Sequence, residues 1–203
     1  MTRVFTHEEA ARFLFLINYG YDDYLGARTL LNSGVYLPAL TLAHTAIEKQ
    51  IKSILYYFED TCKYGHKTTK MIDSLKIHND ELLSTSDIEC IILLEKCYHF
   101  RYIDSKNIRS DKIEFPVSEV LFTLDSMTHK FQNKIHFRKS LMTKYHIDVK
   151  ANRNELHHNN RVLNSKVDIN DVNVNSTISY FYDAFQHAFY EISYIPENNP
   201  IIG

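Results

Sequence analysis

The sequence predicts an all-α protein, an up-and-down bundle of about five to six helices within a single domain spanning residues 1–203. Three observations carry that expectation. Apolar residues recur at i, i+3, i+4 and i+7 through the strongly patterned segments, the spacing of a helix with one buried face. Only 5 glycines and 4 prolines occur in 203 residues, too few for the turns of an all-β fold or for a glycine loop around a phosphate. Hydrophobic residues make up 44% of the chain and charged residues 24%, a balance that supports a packed core and excludes wholesale disorder.

The elements follow in order. Thr6 and Glu9 have the spacing of a capping box before Ala10, Phe13, Leu14, Ile17, Tyr21, Tyr24, Leu25, Arg28 and Leu31, the stripe of a first helix. Asn32-Ser33-Gly34 stops it, and Pro38 suits the first turn of a second helix carrying Ala39, Leu42, Ala43, Ala46, Ile47, Ile51, Ile54, Leu55 and Phe58. A short third helix fits His66 to about Ile77. Ser86 and Glu89 read as a capping box for a fourth helix through Arg101, and Pro116 precedes a fifth that ends near Ile135. Tyr102 to Phe115 reads as a polar connection. From about 136 to 171 the apolar rhythm lapses into a polar excursion rich in Asn, His, Lys and Arg. It returns with Ile178, Phe181, Phe185, Ala188, Phe189 and Ile192, which predicts a C-terminal helix over about 175–194.

A net charge of −2 gives no global basic field for coating nucleic acid. No stretch approaches the roughly 18 consecutive apolar residues of a membrane span, and Met1 to Glu9 lacks a signal-peptide core, so the chain reads as cytoplasmic with no membrane partner. Cys62, Cys90 and Cys97 form no CxxC pair, which argues against a disulfide framework or structural zinc. His157 and His158, with His136 and His146 nearby, lack the HExxH arrangement of a metal site, so neither a metal nor any other cofactor is expected. P-loop, Rossmann and G-x-S-x-G signatures are also missing.

Five charged residues sit on or beside apolar stripes: Arg28, Glu48, Lys52, Arg101 and Asp104. A charge there is costly to bury alone, so each must pair internally or face a cleft. Arginine's planar fork suits bidentate phosphate recognition, and the five are therefore candidates for a cleft or phosphate-binding set.

Several stretches resemble the HEPN domain family. Tyr36 to Leu55, YLPALTLAHTAIEKQIKSIL, is similar to its second helix; Asp23-Tyr24 and Ala27-Arg28 precede it, and Gly65-His66 follow it. His99-Phe100-Arg101-Tyr102-Ile103-Asp104 resembles the family's RYPD stretch, with Ile in place of Pro. The order matches over roughly Glu8 to Ile135. The resemblance implies a helical bundle, commonly a homodimer, and one of two jobs. One is a nucleotide- or RNA-directed module beside a nucleotidyltransferase or antitoxin partner, in a toxin–antitoxin or defence setting. The other is a metal-independent ribonuclease toxin. A helical scaffold without nucleotide contact is the third reading, favoured if the charged cluster is internally paired.

The nuclease branch of that family is marked by Arg, often a polar residue next, and His some four to six positions on. Arg101 has no such His, since the next is His129. Arg153-Asn154-Glu155-Leu156-His157-His158 fits, one element later than in the family. In that chemistry His158 takes a proton from an RNA 2′-hydroxyl and Arg153 stabilises charge on the phosphorane. The late position predicts that Arg153 and His158 lie on a solvated loop without partners, distant from Arg101, with Arg101 and Asp104 marking the functional cleft. Tyr180, Tyr182, Phe185, Phe189, Tyr190 and Tyr194 are expected in the core or a dimer interface.

Overall fold

Thr6 donates its backbone N–H to Glu9 Oε2 at 2.7 Å and accepts the Glu9 N–H on Oγ1 at 3.2 Å, so the capping box starts α1, His7–Asn32, where the sequence places it. In the computed structural model, residues 6–59, 65–99, 112–134, 142–164, 176–183 and 188–194 are described. Gly34, at φ +74°, turns the chain into α2, Tyr36–Glu59. The two helices run antiparallel and nearly touch at Gly20, where a Cβ would lie 2.9 Å from Gln50 Cγ, 3.0 Å from the Ala46 carbonyl oxygen and 3.2 Å from Lys49 Cβ. Phe13, Ile17, Tyr21, Tyr24 and Leu31 bury their side chains against Ala39, Ala43, Ala46, Ile47, Ile51 and Ile54, the centre of the core.

Around this hairpin pack α3, Thr68–His78, α4, Thr85–His99, and α5, Val117–Lys134. Glu95 of α4 accepts from the Thr68 hydroxyl at 2.8 Å and the Thr69 N–H at 2.9 Å, satisfying donors at the start of α3. The cap of α4 lies two residues earlier than Ser86 and Glu89 suggest. Ser84 and Asp87 make the reciprocal bonds, because α4 begins at Thr85 and the box must straddle its first turn. Asp87 also accepts from Lys130 of α5 at 2.6 Å.

The C-terminal segment departs from the expected helix. β2, Thr177–Asp183, and β3, Ala188–Tyr194, form an antiparallel hairpin in register from Thr177↔Tyr194 to Asp183↔Ala188. β1, Ile113–Pro116, lies within the expected connection and pairs with β2 from Ile113↔Tyr180 to Pro116↔Thr177. TISYFYD and AFYEISY are rich in β-branched, aromatic and apolar residues, so a 3.6-residue stripe and a two-residue alternation both fit. β-branched and aromatic content then favours strand. Val117 donates its N–H to the Ser176 carbonyl, fixing the sheet to the head of α5. The fold class is all-α as expected, five long helices and two short ones among the described residues with a three-stranded sheet at the margin. No described helix is long and apolar enough to cross a membrane.

Candidate functional site

Arg28 lies on the apolar stripe of α1 and has no solvent exposure, at 0%. A buried guanidinium needs acceptors for its fork. Asp125 of α5 supplies two, taking Nε at 2.7 Å and Nη2 at 3.1 Å, and it also accepts the Tyr24 hydroxyl at 2.7 Å. Burial works against the charge on Arg28, but the Asp125 carboxylate together with Tyr24 and Tyr21 outweighs it and raises the pKa above the ordinary arginine value. The remaining donors reach past α5. Nη1 bonds the Glu155 carbonyl at 2.7 Å and Nη2 the His158 carbonyl at 2.8 Å. Of the two courses open to Arg28, internal pairing and an open phosphate cleft, the structure shows the first: protein acceptors surround its fork and make it an enclosed clamp.

What it clamps is the described part of the polar excursion. α6, Lys144–Lys150, and α7, Asn154–His157, form an arm laid along α1. Among its described residues Tyr145 and Leu156 are buried and Val149 and Leu163 pack partly buried against the core, and polar bonds add to this small apolar contact. Lys144 N–H donates to Asn18 Oδ1, the Tyr21 hydroxyl to Asp148 Oδ2 at 2.8 Å, and Asn159 Nδ2 to Asn32 Oδ1 at 2.9 Å. Asn152 and Asn159 stand at φ +52° and +53°, the left-handed region that asparagine tolerates better than other branched residues. They bracket the Arg153–His158 stretch and reverse the chain on either side of it.

Arg153 is the N-cap residue of α7 and His158 its C-cap. The Arg153 side chain, 42% exposed, donates Nη1 to Asp148 Oδ2 at 3.0 Å and Nε to Glu155 Oε2 at 3.2 Å. His158 is exposed, with Nε2 3.3 Å from Asn159 Nδ2. The two residues therefore do not lie on a partner-free loop. They flank a single helical turn held from beneath by a buried arginine.

Glu48 and Lys52 belong to a different cluster. Glu48, its side chain 7% exposed, accepts from Lys52 Nζ at 2.5 Å and sits 3.0 Å from Nδ1 of His66, which precedes α3. Among the described residues no bond joins this group to Arg28, and each of the three charges is paired within the protein, the arrangement that favours the scaffold reading for this part of the set. Arg101 and Asp104 lie outside the described residues. No group of three His, Cys, Asp or Glu among the described residues is arranged to hold a metal.

Sequence reasoning missed Asp125, Tyr24, Tyr21, Asp148, Asn32 and Asn159. Asp125 was open to the argument that found Arg28: it stands one turn after Leu121 on the apolar stripe of α5, where a lone carboxylate demands a partner.

An antiparallel helical hairpin covered by three further helices, with polar clusters tucked between them, defines a helical-bundle domain. The chain belongs to the HEPN domain family, whose model matches residues 14–120, more than half of the 203 residues. The match ends inside α5, so the arm with Arg153 and His158 lies beyond it. No curated protein and no solved structure matches the chain.

Proposed function

We propose that this HEPN domain is a metal-independent endoribonuclease in which Arg153 and His158 carry the cleavage. The observation behind the reading is the Arg28 clamp: a largely polar segment with a small apolar contact is held by two carbonyl bonds to a buried, paired guanidinium. Catalytic groups need a supported geometry, and an incidental surface motif has no use for such support. His158 takes the proton of an RNA 2′-hydroxyl; O2′ bonds to phosphorus, the P–O5′ bond breaks, and the products are a 2′,3′-cyclic phosphate and a 5′-hydroxyl end. Arg153 donates to the phosphoryl oxygens as charge builds on the phosphorane. A homodimer presenting two copies of the motif to one cleft supplies a second imidazole to protonate O5′. Cleavage of RNA in EDTA by the wild type, compared with His158→Ala and Arg153→Ala, tests the assignment.

A second reading has its own support. The family match covers most of α1, all of α2 to α4 and the head of α5, with the Glu48, Lys52 and His66 cluster, but not the arm. That favours a cytoplasmic nucleotide- or RNA-binding module working with a nucleotidyltransferase or antitoxin partner in a toxin–antitoxin or defence system. Under this reading, replacing Arg153 and His158 leaves both partner capture and growth phenotype intact.

A further inference from the structure

The bonds beneath His158 set its tautomer as well as its place. Asn32 Nδ2 donates to the Arg28 carbonyl at 2.9 Å. A carbonyl only accepts, so the orientation of the Asn32 amide is fixed and its Oδ1 faces Asn159 as an acceptor. Asn159 must then present its NH2 group, and Nδ2 lies 2.9 Å from Asn32 Oδ1. The same Nδ2 lies 3.3 Å from His158 Nε2, within reach of its second hydrogen. A donor in that position requires a lone pair on Nε2, so the neutral ring carries its proton on Nδ1. The left-handed backbone at Asn159, φ +53°, turns its short amide back toward α1 to make both bonds. Arg28 holds the His158 carbonyl at 2.8 Å, so main chain and ring are both tied to the last two turns of α1.

We infer that Asn159, oriented by Asn32, is a positioning residue that keeps the proton of His158 on Nδ1 and leaves Nε2 as the nitrogen that accepts the 2′-hydroxyl proton. The catalytic consequence rests on the ribonuclease reading; the tautomer does not. The Asn159 contact is long, so an incoming 2′-hydroxyl takes its place on Nε2. The proton passes to Nε2 and gives an imidazolium, O2′ bonds to phosphorus, and the P–O5′ bond breaks, while Nδ1–H is untouched. A neighbour that selects the tautomer of the base is shared with the catalytic triads, although there the orienting residue holds the nitrogen that does not react, whereas Asn159 holds Nε2 only until the substrate arrives.

The test uses the full chain labelled with 15N-histidine, in mildly alkaline buffer, observed by long-range 1H–15N correlation. The His158 ring is identified as the signal missing from His158→Ala. Asn159→Gly removes the amide and suits the left-handed backbone, so it keeps the fold; Asn159→Asp keeps the shape but turns the donor into an acceptor. The expected wild-type pattern has a protonated Nδ1 and a bare Nε2. Asn159→Gly shifts the ring toward the Nε2–H form, and Asn159→Asp fixes it there. In both variants kcat on RNA falls about tenfold or more while KM stays near the wild-type value, a smaller loss than the ~10²–10⁴ expected for removing the base itself. A wild-type ring protonated on Nε2, or one pattern shared by all three proteins, overturns the inference. The expected tautomers together with undiminished cleavage by His158→Ala uphold the positioning of the ring and overturn the ribonuclease reading instead.

Discussion

Replacing Arg28 by methionine keeps most of the side-chain volume and removes the clamp. Asp125 then stays buried with only the Tyr24 hydroxyl as donor, and breaking a buried ion pair from one side costs about 3–5 kcal/mol. The Glu155 and His158 carbonyls lose their partners too, but they are part-buried and water satisfies them once the arm lifts. At roughly 2–4 °C per kcal/mol for a domain of this size, Tm falls on the order of 10 °C. Replacing both partners, Arg28→Met with Asp125→Leu, removes the stranded carboxylate and costs much less than the two single changes added together. Denaturant unfolding reads the stability, and hydrogen exchange reads the arm: amides of residues 153–160 lose protection in both single and double variants, while those of α1 and α2 keep theirs. A loss under about 1 kcal/mol in Arg28→Met, or full protection of 153–160 without Arg28, refutes the clamp.

Three further outcomes follow from the packing. Gly20→Ala destabilises by about 1–3 kcal/mol despite the better helix propensity of alanine, because its Cβ meets the Ala46 carbonyl at 3.0 Å; Gly26→Ala, which meets only the flexible end of Leu42, is neutral or stabilising, and calorimetry of the pair orders them. Burial holds His129 and His146 below the ordinary histidine pKa, so the folded state prefers their neutral forms. Their contribution is complete above an unfolded pKa of about 6.5 and is lost as pH falls below it, so Tm drops toward acid pH less steeply in the His129→Gln, His146→Gln double variant than in the wild type. Burial pushes the thiols of Cys90 and Cys97 up to about 12, so both resist maleimide in the native protein and react on unfolding, as mass spectrometry of labelled peptides will read.

The helices were legible where an apolar stripe was the only pattern available. α1 and α2 follow the Phe13–Leu31 and Ala39–Leu55 stripes, and the Thr6–Glu9 box marks the entry residue. The hairpin at the C-terminus was not, since a run so rich in aromatic and apolar residues satisfies two periods at once and only its pairing with β1 decides between them. The requirement that Arg28 be paired could be read from its place on the stripe, but not its partners. They lie 97 to 130 positions away in sequence, and polar docking leaves no periodic trace. For the same reason the segment around Arg153 looked like a free loop: its order comes from carbonyl and amide bonds to α1, not from side chains that repeat.

The central claim is that Arg153 and His158, held on α1 by Arg28, cleave RNA without a metal. The most direct measurement is the cleavage of a labelled single-stranded RNA in excess EDTA, with the product ends identified by mass spectrometry. The account predicts fragments ending in 2′,3′-cyclic phosphate from the wild type, and a rate about 10²-fold lower or less than that from His158→Ala and Arg153→Ala. Equal cleavage by all three proteins, or none by the wild type at concentrations where it is folded, contradicts it.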